Sequence, residues 1–405
     1  MKKPRMRYVD AFPVDIDGRK LIYLRDPEGV ASGMAVPYPA YLLMTLMDGT
    51  RVVSQLQTAL SQELKGIQIA NADIEQLICQ LDEAFLLDNG RFRGRRRQIE
   101  HDFRALPVRP AAHAGKSYPD DAEELRAMID GFFTSPNGSG VPNGKTGAPL
   151  KGLIAPHIDF NRGGPCFAWA YKTLAESAPP DLFVLLGTGH SARQAFVMSR
   201  KDFETPFGVL KADIEVIDHI ASVSPIDVFA DEYAHKEEHS LEFQAVFLKY
   251  LFPDRDIPVV PILCGSFHNM VMDKQSPLTA PVVSQFVQGL KDVLNASGKC
   301  VSFIAGVDLS HVGPRFGDEE PLSDVFLEGV EKTDRELLAA AEQMDADAYF
   351  EVVIRECDRT RVCGTSSIYT MLHAIEATRG QLLKYDQAVD YETQQMVSFA
   401  SMAFY

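Results

Sequence analysis

Three histidines stand just past apolar runs in this chain. Leu153-Ile154-Ala155 leads through Pro156 to His157. Leu182-Phe183-Val184-Leu185-Leu186 runs into Gly187-Thr188-Gly189-His190, and the run from Val301 to Val307 is followed by Asp308-Leu309-Ser310-His311. Imidazole is the commonest metal ligand and the usual general base near neutral pH. A single such residue is more often a satisfied structural histidine; three delivered on one plan predict a shared site. Their neighbours fit that reading. Gly187 and Gly189 allow a backbone to approach a ligand closely. Asp308 can orient His311 or another ring from behind. Asp159, two residues after His157, is a candidate extra ligand or supporting partner.

Two further segments carry reactive groups. In Glu238-His239-Ser240-Leu241-Glu242, His239 and Glu242 share a helix face, a spacing suited to a metal pair or a substrate-contacting pair. Acidic residues also complement the dipole at a helix start. The sequence therefore predicts a site role for His239 and a structural one for Glu242, with His235 a weaker candidate. Cys363 lies in Arg361-Val362-Cys363-Gly364-Thr365, ahead of a helix whose apolar face includes Ile368, Met371, Leu372 and Ile375. A thiol at a helix start has a depressed pKa and can act as a thiolate ligand or a nucleophile; a buried, inert cysteine is the alternative. Cys166, Cys264, Cys300 and Cys357 read as core.

The elements that must position these groups form an α/β pattern. Apolar strands around 152–156, 182–187, 257–264 and 301–307 alternate with amphipathic helices near 165–177, 213–223, 237–252, 280–295 and 323–342. Such alternation implies a largely parallel or mixed sheet covered on both faces, with ligands outside the carboxyl ends of its strands. Gly163-Gly164 is expected to open the first helix. Gln381 to Asp390 and Met396 to Tyr405 read as two strands near a sheet edge. Thr134 to Pro149, rich in Gly, Asn and Pro, reads as a long mobile loop. Pro107 to Lys116 has the composition of a linker.

At 405 residues the chain is too long for one ordinary core, and residues 1–105 read as a separate small domain. Asp17-Gly18 joins two strand-like runs, a hairpin signal. A short helix over 39–44 follows. A second, capped by Thr50, carries Val53, Leu56, Leu60 and Leu64. A third, opened by Asn71 or Asp73, carries Ile74, Leu77, Ile78, Leu81 and Phe85. This is a winged-helix type of arrangement. Arg91, Arg93, Arg95, Arg96 and Arg97 read as a solvated helix face or linker.

Net charge is −16. Residues 1–105 are close to neutral, with 15 basic and 14 acidic side chains, so the remainder carries nearly all the negative charge. That larger part would repel nucleic-acid phosphates. Six well-separated cysteines without a CxxC pair point to a reducing cytoplasm. The opening MKKPRMRYVDAF lacks the apolar stretch of a secretory signal. Pro37 and Pro39 argue against a membrane span in the uncharged run from Gly29 to Met47.

From about Ala114 onward the chain resembles the Memo family, in particular the bacterial AmmeMemoRadiSam system B proteins. The resemblance rests on AGKSY, IAPHIDF with GGPCFAWAYK, LLGTGHS, ETPFGVLKAD, EEHSLEFQAVFL, VDLSHVGPRFG and VCGTSSIYTML, in order along about seven tenths of the chain. It implies a three-layer α/β/α sandwich of the class III extradiol dioxygenase type. It further implies His157, His190 and Cys363 as metal ligands, His311 as the acid/base histidine with Asp308 lining the same site, and His239 pointing into the pocket. The dioxygenases use two histidines and a carboxylate, whereas here the third ligand would be a softer thiolate. Iron(II) is the expected metal, with zinc and copper(I) as alternatives. The implied partners are a small phenolic substrate and AMMECR-type and radical-SAM proteins; a metal-binding or peptide-binding partner protein and a zinc hydrolase are the rival functions. Residues 1–105 resemble a PqqD-like winged-helix domain in DGTRVVSQLQTAL and IEQLICQLDEAFLLDN, which implies peptide binding by strand addition. DNA binding and simple packing or dimerisation are the other readings of that domain.

Overall fold

The computed structural model describes residues 3–67, 69–144 and 146–405. The first residues of MKKPRMRYVDAF and Lys145 of the expected mobile loop lie outside them. The chain divides into two compact units, 1–105 and 106–405. Among the described residues no helix is long and apolar enough to cross a membrane.

In the first unit, strands β1 (Asp10–Ile16) and β2 (Arg19–Arg25) form the hairpin, and β3 (Met34–Val36) adds to β2. Helices α1 (Tyr38–Thr45), α2 (Val53–Glu63), α3 (Asn71–Glu83) and α4 (Gly90–Ala105) follow. Leu24, Leu43, Leu56, Leu60, Ile74 and Leu81 form its core. Two local expectations change. Thr50 turns back onto Asp48, and the start of α2 is closed by Gln55, whose side chain accepts from the Val52 amide (3.0 Å). Phe85 lies beyond α3 in a left-handed conformation (φ 60°). The arginine run forms α4, where Arg93 pairs with Asp88 and Arg96 with Glu28 and Glu100.

The second unit is a mixed α/β sandwich. In chain order it contains β4 (Val108–Arg109), α5 (Ala122–Thr134), β5 (Gly152–Ala155), α6 (Phe160–Ala175), β6 (Leu182–Thr188), β7 (Phe196–Met198), β8 (Asp202–Thr205) and β9 (Gly208–Leu210). It continues with α7 (Ile214–Val223), α8 (His239–Leu251), β10 (Val259–Cys264), α9 (His268–Met272), α10 (Pro281–Ser297), β11 (Val301–Gly306) and β12 (His311–Val312). It ends with α11 (Asp324–Glu342), α12 (Ala346–Arg355), α13 (Thr365–Ala374), β13 (Gly380–Asp390) and β14 (Gln395–Phe404). Among the described residues the large sheet has the order β12-β14-β5-β11-β6-β10-β7, with β13 on β14. The strands β5, β11, β6 and β10 run parallel.

Alternation along each strand explains the two helical layers, because successive side chains face opposite sides of a sheet. Leu182, Val184 and Leu186 face the layer of α7, α10, α12 and α13, as do Phe303, Ala305, Val260 and Ile262. Phe183, Leu185, Ile304 and Leu263 face α5, α6 and α8. Both faces are covered, so the strands read as continuous apolar runs in the sequence.

The two C-terminal strands do lie near a sheet edge: β13 forms that edge, and β14 beside it is flanked by β13 on one side and by β5 and β12 on the other. Other expectations are corrected. α6 starts at Phe160, capped by Asp159, so Gly163 and Gly164 sit inside it. Their role is close packing: a Cβ on either would meet Ile158 or Phe132 at 2.4 Å. The supposed linker contains β4, which pairs with β8, and its Arg109 is fully buried. The loop expected to be mobile is tied to α6: Ser139 Oγ donates to the Ala168 carbonyl (3.0 Å), Lys172 Nζ to the Ser139 carbonyl (2.7 Å), and Trp169 Nε1 to the Asn137 carbonyl (3.1 Å). Cys166 and Cys264 are buried, whereas Cys300 and Cys357 are exposed.

Candidate metal centre

Parallel neighbours end at the same edge of a sheet, and this places the site. His157 and His190 each lie two residues beyond their strands, β5 and β6, which flank β11. Their backbones leave the sheet about 10 Å apart, two strand spacings. The rings turn toward each other above the end of β11, with centroids 5.1 Å apart. Cys363 arrives from the opposite helical layer, ahead of α13. Its amide donates to the Leu309 carbonyl (2.9 Å) and that of Gly364 to the Asp308 carbonyl (2.9 Å), so the thiol is fastened to the segment leaving β11. Its Sγ lies 3.4 Å from His157 Nε2 and 3.5 Å from His190 Nε2. These three donor atoms lie within 4.8 Å of one another.

Each imidazole is held from behind. His157 Nδ1 faces the Gly306 carbonyl at 3.0 Å. A carbonyl only accepts, so Nδ1 carries a proton and Nε2 is the atom turned to the sulfur. Asp308 does not hold His311. Its Oδ1 accepts the amides of His157 (2.9 Å) and Ile158 (3.1 Å), and its Oδ2 lies 3.6 Å from His157 Nε2. His190 Nδ1 donates to Glu238, whose oxygens lie at 2.9 and 3.1 Å; Glu238 also accepts the His190 and Ser240 amides. Carboxylate and carbonyl partners of this kind fix the tautomer and orientation of ligating histidines. His190, Glu238 and His239 form a second group of possible donors. The Glu238 oxygens are already engaged by three N–H groups, so Glu238 acts as the support of His190.

The charges are coupled. Burial opposes ionisation of Cys363, but the two imidazoles outweigh it and hold its thiol well below the usual range. Burial likewise opposes the cation on His157, yet Asp308 and the Cys363 thiolate push its pKa up to about 9. Glu238 raises His190 in the same way and is itself held low, against the cost of burial, chiefly by His190. Without a metal the site is therefore a thiolate between imidazolium groups. A soft anionic sulfur and two imidazoles of fixed tautomer, with protons a cation can displace, are a donor set that fits a transition-metal ion.

The remaining predicted residues separate. The His239 ring lies 5.1 Å from that of His157 and 4.9 Å from that of His190, and burial pushes its pKa well down, leaving it neutral. His311 belongs to neither donor group. Its Nδ1 donates to the Leu309 carbonyl (3.2 Å) and its ring meets Phe316 edge-on. Asp159 is committed to Arg162 and to capping α6, which rules out its expected ligand role. Glu242 is structural as expected: it pairs with Arg109 (2.6 Å) and accepts from the Ala112 and His113 amides and from the Tyr118 hydroxyl. His235 is buried against the Val197 carbonyl, and burial lowers its pKa to about 3. Gly187 serves packing rather than a ligand: a Cβ there would meet Ser240 Oγ at 2.5 Å, so its absence admits the start of α8. A cavity of about 230 Å³ opens beside His190 and Cys363, lined also by Thr188, Phe267, His268 and Arg361.

Sequence reasoning missed Glu238 as the partner of His190 and Arg109 as the clamp beneath it. Arg109 Nε donates to the His235 carbonyl (2.6 Å) and one terminal nitrogen to the Glu238 carbonyl (2.7 Å). Neither has a local signature, since the partners lie 48 and more than 120 residues away in sequence. His113, whose ring lies 5.7 Å from that of His239, was likewise unmarked.

Comparison with known proteins gives the family. A family model described as Memo-like protein matches residues 109–403. A MEMO1 family protein of Aquifex aeolicus is 30% identical over 407 residues and is matched over the full length of both chains. One from Ignicoccus hospitalis is 31% identical, covering 73% of this chain and 98% of the relative. One from Thermus thermophilus is 26% identical, covering 79% of this chain and 89% of the relative.

Proposed function

The chain belongs to the Memo-like family, and from that premise we propose that its larger unit holds one iron(II) ion on His157, His190 and Cys363 and performs extradiol-dioxygenase-type chemistry on a small phenolic substrate. The observation that carries this reading is the convergence of two tautomer-fixed Nε2 atoms on one thiolate beside an open cavity. Iron held there supplies Lewis acidity and one-electron redox capacity. The chain's own residues supply the rest. Gly306 and Glu238 keep both ligand rings in the metal-binding tautomer. The neutral His239 ring offers a hydrogen bond to a substrate hydroxyl. His311, whose Nε2 has no hydrogen-bond partner among the described residues, takes and returns the substrate proton. The test is anaerobic reconstitution with iron, then oxygen uptake against a panel of catechols. Consumption of dioxygen matched to loss of catechol is expected; no turnover with iron verified in the site overturns the catalytic reading.

The thiolate favours a second reading, a zinc hydrolase or copper(I) site, because soft sulfur suits those ions better than a carboxylate would. Metal analysis of protein purified without oxygen ranks the ions. We also propose that the first unit is a PqqD-like winged-helix peptide binder working with AMMECR-type and radical-SAM proteins. Among the described residues strand β1 pairs only with β2, and a 200 Å³ cavity lined by Met6, Tyr8, Val9, Leu24 and Tyr41 lies beside it, which favours strand addition. Capture of those proteins by the full chain, and not by a chain lacking residues 1–105, is the expected result. Six unpaired cysteines support a reducing, cytoplasmic setting.

A further inference from the structure

The segment Asp308-Leu309-Ser310-His311 holds two of the three parts of the candidate centre, the His157 turn and the start of the Cys363 helix. Asp308 receives the amides that follow β5, and the Asp308 and Leu309 carbonyls receive the amides at Cys363 and Gly364. On its other side, the Leu309 amide donates to the Ser398 carbonyl (2.8 Å) and the His311 amide to the Thr360 carbonyl (2.7 Å). Asp334 of α11 lies beneath this segment. It is fully buried, and no cationic side chain pairs with it among the described residues. Ser310 Oγ donates to its Oδ1 (2.6 Å), while Ser398 Oγ (2.6 Å) and the Tyr385 hydroxyl (2.9 Å) donate to its Oδ2. Ser398 is locked to the same segment: its Oγ accepts the Ser310 amide (2.9 Å) and its amide donates to the Ser310 carbonyl (2.9 Å).

A buried carboxylate without a counter-charge is an expensive way to fill space, and apolar side chains of similar size are often as stable. Its three hydroxyl donors come from three elements: the β11 exit, β13 and β14. The geometry points to Asp334 as a positioning residue of the metal centre: it fixes the 308–311 segment, and through it the hold of Asp308 on His157 and of Leu309 on Cys363. This rests on the reading of the histidine–thiol cluster as the working site.

The test uses the full chain with two readouts. One is Co²⁺ titration followed by the thiolate-to-cobalt charge-transfer absorption. The other is amide hydrogen exchange at 309–311 and 363–364 in metal-free protein. Ser310→Ala removes the donor on the segment, Asp334→Asn changes the acceptor, and Tyr385→Phe removes a donor off the segment. Ser310→Ala and Asp334→Asn are expected to weaken Co²⁺ binding about ten- to a hundredfold and to speed exchange at both stretches. Ser310→Thr, which keeps the hydroxyl, restores both readouts. Tyr385→Phe lowers Tm and leaves both unchanged. Ser310→Ala protein with wild-type exchange and wild-type Co²⁺ affinity overturns the inference. Wild-type protein that takes up no Co²⁺ overturns the metal reading instead, and the exchange contrast then decides the role of Asp334.

Discussion

His157 and His190 occupy equivalent places, two residues beyond parallel strands, and a carboxylate takes the amide of each, yet their rings are held at Nδ1 by different means. His157 is 2% exposed and is oriented by a backbone carbonyl at Nδ1 and by Asp308 on its amide. The His190 side chain is 42% exposed and is gripped by the Glu238 carboxylate at both Nδ1 and amide. The difference follows from solvent. In the interior no water competes, and a neutral acceptor suffices. At the mouth a charged acceptor is needed to outbid water, since charge-assisted hydrogen bonds are about twice as strong. The exposed side then needs its own foundation, which Arg109 supplies by binding the carbonyls of His235 and Glu238.

The sharpest way to break this contrast is to remove that foundation. Arg109→Met leaves Glu242 buried without its partner and should cost about 3–5 kcal/mol, read as a lower urea midpoint for the larger unit, with the His190 side loosened first. Glu238→Gln removes only the charge behind His190. It should weaken metal binding about ten- to a hundredfold, measured by competition with a chelator, while the environment of His157 stays as in the wild type. The pH profile of Cys363 alkylation in metal-free protein probes both sides together. The thiol is held low and His157 is raised to about 9. The rate should therefore be flat across neutral pH, where an ordinary thiol would still be titrating, and climb as His157 loses its proton near pH 9. Glu238→Gln should shift this profile toward that of an ordinary thiol, because His190 then loses its proton more readily. The smallest effect is expected for His239→Gln: metal affinity within about threefold of wild type, as for a residue outside the donor trio, with catechol binding weakened in a substrate titration.

Much of this arrangement was legible in the sequence because it is local. An apolar run followed by His157 or His190 reports a strand and what stands at its end. The HSLE segment at 239–242 and Cys363 ahead of an apolar-faced helix report helix starts. What escaped is what spans the chain. Glu238 reads locally as one more acidic residue at a helix start, and only the meeting of β6 with α8 reveals it as the partner of His190. Arg109 sits in a proline-containing stretch that composition marks as linker, and Asp334 sits on an ordinary amphipathic helix. Strand order was equally hidden. The apolar content of Met396–Tyr405 shows a strand, but nothing in it says that β14 lies inside the sheet against β5.

That pairing has a consequence for manufacture on the ribosome. The first strand of the large sheet needs the last strand as its neighbour, and the sulfur that meets His157 follows it by 206 residues. At about 5–20 residues per second, the nascent chain waits roughly 10–40 s between presenting the first imidazole and emitting the thiol. During that interval one flank of β5 stays uncovered and no complete donor set exists. Assembly of the donor trio is thereby deferred until Cys363 has emerged, and a polypeptide cut before β13 leaves that flank of β5 without its partner strand.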